Sequence, residues 1–112
     1  TSPSDFSKYL IEIMKGFKGS GTLLSSHSYK EMFHIQVRNT EERNKHVGLF
    51  WGINEDGIIG HTGGDPGVTT ICSFDPVKDR GYYFVTNMSD DIIEIDDTIE
   101  KIWNIVINQK LN

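Results

Sequence analysis

Gly60-His61-Thr62-Gly63-Gly64-Asp65-Pro66-Gly67 lies between two apolar runs, Ile58-Ile59 before it and Val68-Thr69-Thr70-Ile71-Cys72-Ser73-Phe74 after it. Four glycines and a proline in eight residues suit a tight reversal, because glycine takes positive φ without steric cost and proline fixes φ near about −65°. A connection this short cannot make the crossover that parallel strands require, so the flanking runs are expected to pair antiparallel. Upstream, Asn54-Glu55-Asp56-Gly57 supplies a second hairpin-type turn after an extended apolar and aromatic run over residues 47–54. Downstream, Asp75-Pro76-Val77-Lys78-Asp79-Arg80 is a loop by composition and leads into a last strand over residues 81–87. The pattern predicts an antiparallel meander of about four strands.

Helices bracket this meander. Ser2 is placed to cap a first helix, Pro3 suits its first position, and Asp5 complements the positive end of the helix dipole. Phe6, Tyr9, Leu10, Ile13, Met14 and Phe17 recur on one face, and Gly16 with Gly19-Ser20-Gly21 is expected to end the helix. Ser25 or Ser26 caps a second short helix reaching about Phe33. Residues 36–45 show neither period and read as an exposed connection. At the C-terminal end Asp91 is a cap with Glu94 three residues on, while Ile92, Ile95, Ile99, Ile102, Trp103 and Val106 form a core stripe and Lys101 and Lys110 lie toward the negative end. The expected fold class is α+β, with an antiparallel sheet flanked by N- and C-terminal helices.

Composition limits the functions available. A chain of 112 residues is one domain's worth. Its formal net charge of −5 opposes nucleic-acid binding, which needs a basic face to displace counterions. No apolar run approaches the roughly 18–20 residues that span a bilayer. The sequence opens Thr1-Ser2-Pro3-Ser4, without an initiator methionine or a signal segment, so the natural N-terminus is expected elsewhere. Cys72, the one cysteine, sits in an apolar strand and reads as a buried structural thiol.

The glycine turn belongs to a longer order: Gly48-Leu49-Phe50-Trp51-Gly52-Ile53-Asn54, Asp56-Gly57, the octapeptide, Asp75-Pro76 and Thr86-Asn87. That order resembles the C-terminal part of the class C β-lactamase and penicillin-binding protein family, which includes esterases and D-amino-acid peptidases. The resemblance covers most of the chain. It implies that residues 1–112 form a single partial domain, the C-terminal portion of a β-lactamase/transpeptidase-like catalytic domain. Bacterial origin and a periplasmic or extracytoplasmic location follow only by the same likeness.

In that family an active-site strand carries Lys-Thr-Gly or His-Thr-Gly, and His61-Thr62-Gly63-Gly64 matches the histidine variant. By position, Gly64 would supply one backbone N–H of the oxyanion hole, with His61 and Thr62 lining the pocket, and glycine at 63 would let substrate lie close to the strand. The second N–H would come from the nucleophilic serine. The family places that serine in Ser-x-x-Lys, where helical spacing sets the lysine amine beside the hydroxyl. The residues three before each lysine are Asp5, Glu12, Lys15, His27, Glu42, Asp75, Thr98 and Ile107, never serine, and no Tyr-x-Asn follows Tyr9, Tyr29, Tyr82 or Tyr83.

The chain alone is therefore expected to be inactive. Its implied partners are the missing N-terminal part of the same polypeptide and, in the full-length protein, a small peptide, β-lactam or ester. An open sheet edge left by missing strands is expected to drive self-association. The competing reading is a non-catalytic binding or interaction domain derived from such a hydrolase, and a plain glycine turn in an unrelated domain is a third. Neither a metal nor an organic cofactor is expected, since the acyl-enzyme route needs none. His27, His34, His46 and His61 lack the spacing of a zinc site. The acidic run at residues 90–97 lacks the pattern of a calcium loop. Asn87-Met88-Ser89 is formally a glycosylation sequon, but it falls at a strand-to-helix turn and reads as structural.

Overall fold

A computed structural model describes residues 1–38, 46–89 and 93–109. Helix α1 spans Pro3–Phe17, and the Ser2 hydroxyl accepts the Asp5 N–H at 3.1 Å. It ends as a Schellman motif: Ser20 N–H donates to Lys15 O at 2.8 Å, Gly19 N–H to Gly16 O at 3.0 Å, and Gly19 takes φ 85°. Gly19 therefore stops the helix, and Gly16, expected to do so, lies inside it and is buried. Gly16 serves packing instead. A Cβ there would overlap the ring of Tyr29, the centre of helix α2 (Ser26–Phe33), which Ser25 caps through the Ser28 N–H at 3.1 Å.

Six strands follow in the order β1 (Val37–Arg38), β2 (His46–Val47), β3 (Gly52–Ile53), β4 (Ile59–Asp65), β5 (Val68–Asp75) and β6 (Arg80–Thr86). Each pairs antiparallel with the next. The architecture is α+β, with this sheet flanked by α1 and by the C-terminal helix α3 (Ile93–Asn108).

Two expectations about the sheet are corrected. Of residues 36–45, expected as an exposed connection, 39–45 lie outside the described residues, and Val37 and Arg38 pair with Val47 and His46. Their side chains stay exposed, so backbone pairing builds the strand without leaving a hydrophobic period to read. The run over residues 47–54 is not one strand. Gly48 N–H donates to Trp51 O at 2.8 Å across a reversal in which Phe50 takes φ 66°, and this splits the run into β2 and β3. Trp51 turns into the core at 5 % exposure while Phe50 points out at 84 %. Among the described residues the sheet therefore has six strands where about four were expected. Asp91, Ile92 and Lys110, read as cap, stripe and helix end, lie outside the described residues.

Register sorts side chains between two faces, because neighbours along a strand point to opposite sides. On one face, Tyr83 stacks on Phe6 at 4.0 Å and a side chain on Gly81 would meet Leu10 and Met14, so α1 covers this side. Phe74, paired with Ile59 and Gly81, points the same way and is 1 % exposed. Leu10, Ile13, Tyr29, Trp51, Ile59 and Phe74 form the core there. On the other face Tyr82 meets Trp103 edge-on at 6.1 Å and donates to Ile107 O at 3.5 Å, so α3 covers that side. Within α3, Ile99 is buried and Ile95, Trp103 and Val106 half-buried. Tyr9, Phe17 and Ile102, expected in the core stripes, are exposed because they fall at the margins of the helix faces. Among the described residues no helix is long and apolar enough to cross a membrane.

Gly16→Ala sets two effects against each other. Alanine gains about 1 kcal/mol of helix propensity, but its methyl would collide with a Tyr29 ring that is 2 % exposed and has no room to retreat. Overpacking of this kind costs about 1–3 kcal/mol and applies on top of separating the two helices. A net loss in urea unfolding is expected; an increase in stability would show that Tyr29 is not seated on Gly16.

Candidate functional site

The matched residues occupy β4, and the turn beyond it is built as the sequence requires. Asp65 pairs with Val68 across Pro66-Gly67, and Gly67 takes φ 84°, which is the proline-then-glycine usage of a type II turn. Gly67 N–H donates to Ser89 Oγ at 2.5 Å, and Thr69 Oγ1 donates to Met88 O at 2.9 Å. The segment after β6 thus buttresses the hairpin tip. Ser89, the last residue of the formal sequon, has its hydroxyl engaged in this structural bond.

The direction of the β4 backbone groups follows from two hairpins. Asn54 N–H donates to Ile58 O at 3.0 Å, so residues 54 and 58 form a hydrogen-bonded pair. Alternation makes Gly52 and Gly60 the next such pair along the β3–β4 ladder. The N–H and C=O of Gly60 therefore face β3. Two and four residues on, those of Thr62 and Gly64 face the same side, but β3 reaches only Gly60. Counting back from the Asp65–Val68 turn gives the same phase: residues 65, 63 and 61 bond to β5, leaving 64 and 62 pointing away from it. The outer edge of β4 at Thr62 and Gly64 has no partner strand among the described residues.

The side chains divide between the faces. His61 pairs with Cys72 on the α1 side and is exposed. Thr62, opposite Ile71, points to the α3 side and is exposed. Gly63 is half-buried, and its carbonyl accepts from Thr70 Oγ1 at 3.2 Å. Gly64 is exposed and offers backbone alone. Cys72 is half-buried, less than expected, and burial pushes its thiol up while a hydrogen bond with the His61 backbone pulls the other way. Burial thus works against the thiolate form that a cysteine nucleophile uses.

The four matched residues are thus brought together by chain continuity, as an accessible backbone edge with one imidazole on the helix-α1 side. The described residues hold no group of three His, Cys, Asp or Glu able to bind a metal. Sequence reasoning missed what keeps the edge clear, which is the burial of Trp51 and the late start of β3 at Gly52. The Gly48-to-Gly52 spacing was visible, but a positive φ at Phe50 leaves no residue-type signature. No family model, curated protein or solved structure matches the chain.

Because His61 and Thr62 are exposed, His61→Gln and Thr62→Val are expected to change stability by no more than about 0.5 kcal/mol. Thr70→Val removes the donor to Gly63 O and is expected to cost about 1 kcal/mol. Urea unfolding of the three variants measures this. A large loss at His61 with none at Thr70 would show that the strand is held differently.

Proposed function

We propose that this chain supplies the His-Thr-Gly-Gly strand of a serine acyl-hydrolase resembling class C β-lactamases and penicillin-binding proteins. The observation that carries the reading is the backbone edge of β4 at Thr62 and Gly64, which has no partner strand among the described residues. Acyl transfer through a tetrahedral intermediate needs backbone N–H groups aimed at the developing oxyanion and fixed before reaction. The Gly64 N–H has that freedom, and the absence of a side chain lets a reacting carbonyl approach. The nucleophilic serine and its activating lysine belong to a part of the polypeptide outside these 112 residues, since no Ser-x-x-Lys occurs among them. The substrate class is a peptide, β-lactam or ester that acylates the serine and is released by water.

The same edge favours a second reading, a binding module that adds an extended peptide to β4 by strand augmentation and performs no chemistry. Intact mass after treatment with a fluorophosphonate and with a penicillin separates the two, on this chain and on the whole natural reading frame. The hydrolase reading expects an adduct on the whole polypeptide and none on residues 1–112. No adduct on either, with an intact fold, would sink it in favour of the binding module.

Self-association belongs to the same proposal. The outer edge of β6 has no partner strand among the described residues, and Arg80-Gly81-Tyr82-Tyr83-Phe84-Val85-Thr86 contains no lysine, proline or acidic residue of the kind that protects edges. Light scattering on size-exclusion fractions of this chain is expected to show a concentration-dependent dimer that Val85→Lys weakens. A monomer up to about 1 mM would contradict it, since association weaker than that falls below about 4 kcal/mol.

A further inference from the structure

Each turn between successive strands from β2 to β6 holds one residue at positive φ: Phe50 at 66°, Gly57 at 78°, Gly67 at 84° and Asp79 at 56°. Glycine takes that region freely and aspartate tolerates it, whereas a bulky side chain does not. Phe50 is the misfit of the four, and burial does not account for it, since its ring is 84 % exposed. The turn itself is required. Gly48 N–H donates to Trp51 O and Leu49 N–H to Met32 O of α2, each at 2.8 Å; a Cβ on Gly48 would overlap that Met32 carbonyl, and Trp51 is buried. Glycine at position 50 would meet every one of these constraints. The phenyl ring is therefore an addition to the turn, held outward on a tip anchored to α2.

Register places that tip. Val47 pairs with Gly52 and Gly48 bonds to Trp51, so Leu49-Phe50 form the two-residue tip of the β2–β3 hairpin. Gly52 pairs with Gly60 across the β3–β4 ladder, and the same register carried two steps further brings Trp51 level with His61 and Phe50 level with Thr62. The tip thus stands where the ladder stops and the Thr62-to-Gly64 edge begins. A chain lying along that edge meets Leu49 and Phe50 end-on, both exposed. Two residues of extended strand span about 7 Å, so a group beside Phe50 lies about that far from a carbonyl held at the Gly64 N–H.

We infer that Phe50 is a specificity-determining residue, selecting substrates that carry an aromatic or large aliphatic group about 7 Å from the reacting carbonyl. The inference rests on the hydrolase reading above. Backbone at Thr62 and Gly64 offers the same hydrogen bonds to every extended substrate and cannot discriminate among side groups. The ring supplies the missing discrimination: it leaves water when an apolar group covers it, and an aromatic group meets it edge-on.

Kinetics of the whole natural reading frame with three esters test this. Ethyl 4-phenylbutyrate and 2-phenylethyl acetate carry a ring on opposite sides of the carbonyl, and ethyl acetate is the small reference. The wild type is expected to prefer one of the aromatic esters over ethyl acetate in kcat/KM. Phe50→Ala is expected to cut that preference about fivefold or more, and Phe50→Tyr to keep it. In the chain of 112 residues, Phe50→Gly is expected not to lower stability in urea unfolding, because glycine takes the same φ without strain. An unchanged preference in Phe50→Ala, no preference in the wild type, or a loss of stability in Phe50→Gly would overturn the inference. A wild type that forms no fluorophosphonate adduct and turns over none of the esters would instead remove the hydrolase reading, and the role of Phe50 with it.

Discussion

Phe74 is the contact on which the rest of the structure depends. Its ring, 1 % exposed, meets Phe17 of α1, Phe33 of α2 and Trp51 of the turn before β3, edge-on at 5.7, 5.9 and 5.9 Å. Edge-to-face contacts of this kind add about 0.5–1.5 kcal/mol each to what burial alone supplies. One side chain of β5 thereby holds both N-terminal helices and the loop that enters the sheet. Glycine makes room around it: Gly81 opposite Phe74 lets Leu10 and Met14 close on β6.

The open edge of β4 is a product of the same packing. Trp51 reaches Phe74 only because the chain reverses at residues 48–51, and that reversal limits β3 to two residues. A longer β3 would have hydrogen-bonded to Thr62 and Gly64 and closed the edge. The interior thus clears a stretch of backbone on the surface, and the Thr69 and Ser89 hydroxyls anchor its far end. Because the edge is backbone on a strand that pairs with β5 along its whole length, it is held in place without depending on any side chain of its own.

Much of the fold was legible because local signals agreed with tertiary structure. Ser2 and Ser25 cap where expected, and the turns at Asn54-Gly57 and Pro66-Gly67 carry glycines at φ 78° and 84°. Three features were illegible for distinct reasons. The strand at Val37-Arg38 is built from backbone bonds with exposed side chains, so no pattern marks it. Gly16 looked like a helix stop because its real constraint, the Tyr29 ring, lies in another helix. Phe50 adopts φ 66° because Trp51 is buried, which residue type does not encode. For the site, His61 to Gly64 could be found because they are contiguous in sequence. The openness of their edge depends on Trp51 and could not be.

Among the described residues, the β4 edge presents N–H groups at Thr62 and Gly64 without a partner strand, while its other side is fully paired with β5. Amide hydrogen exchange of the dilute chain, resolved by residue, reads this directly. Thr62 and Gly64 are expected to exchange at least about a hundredfold faster than Gly63 and His61, whose N–H groups bond to β5. Equal protection at all four positions would mean that the edge is covered and cannot present its N–H groups to a substrate.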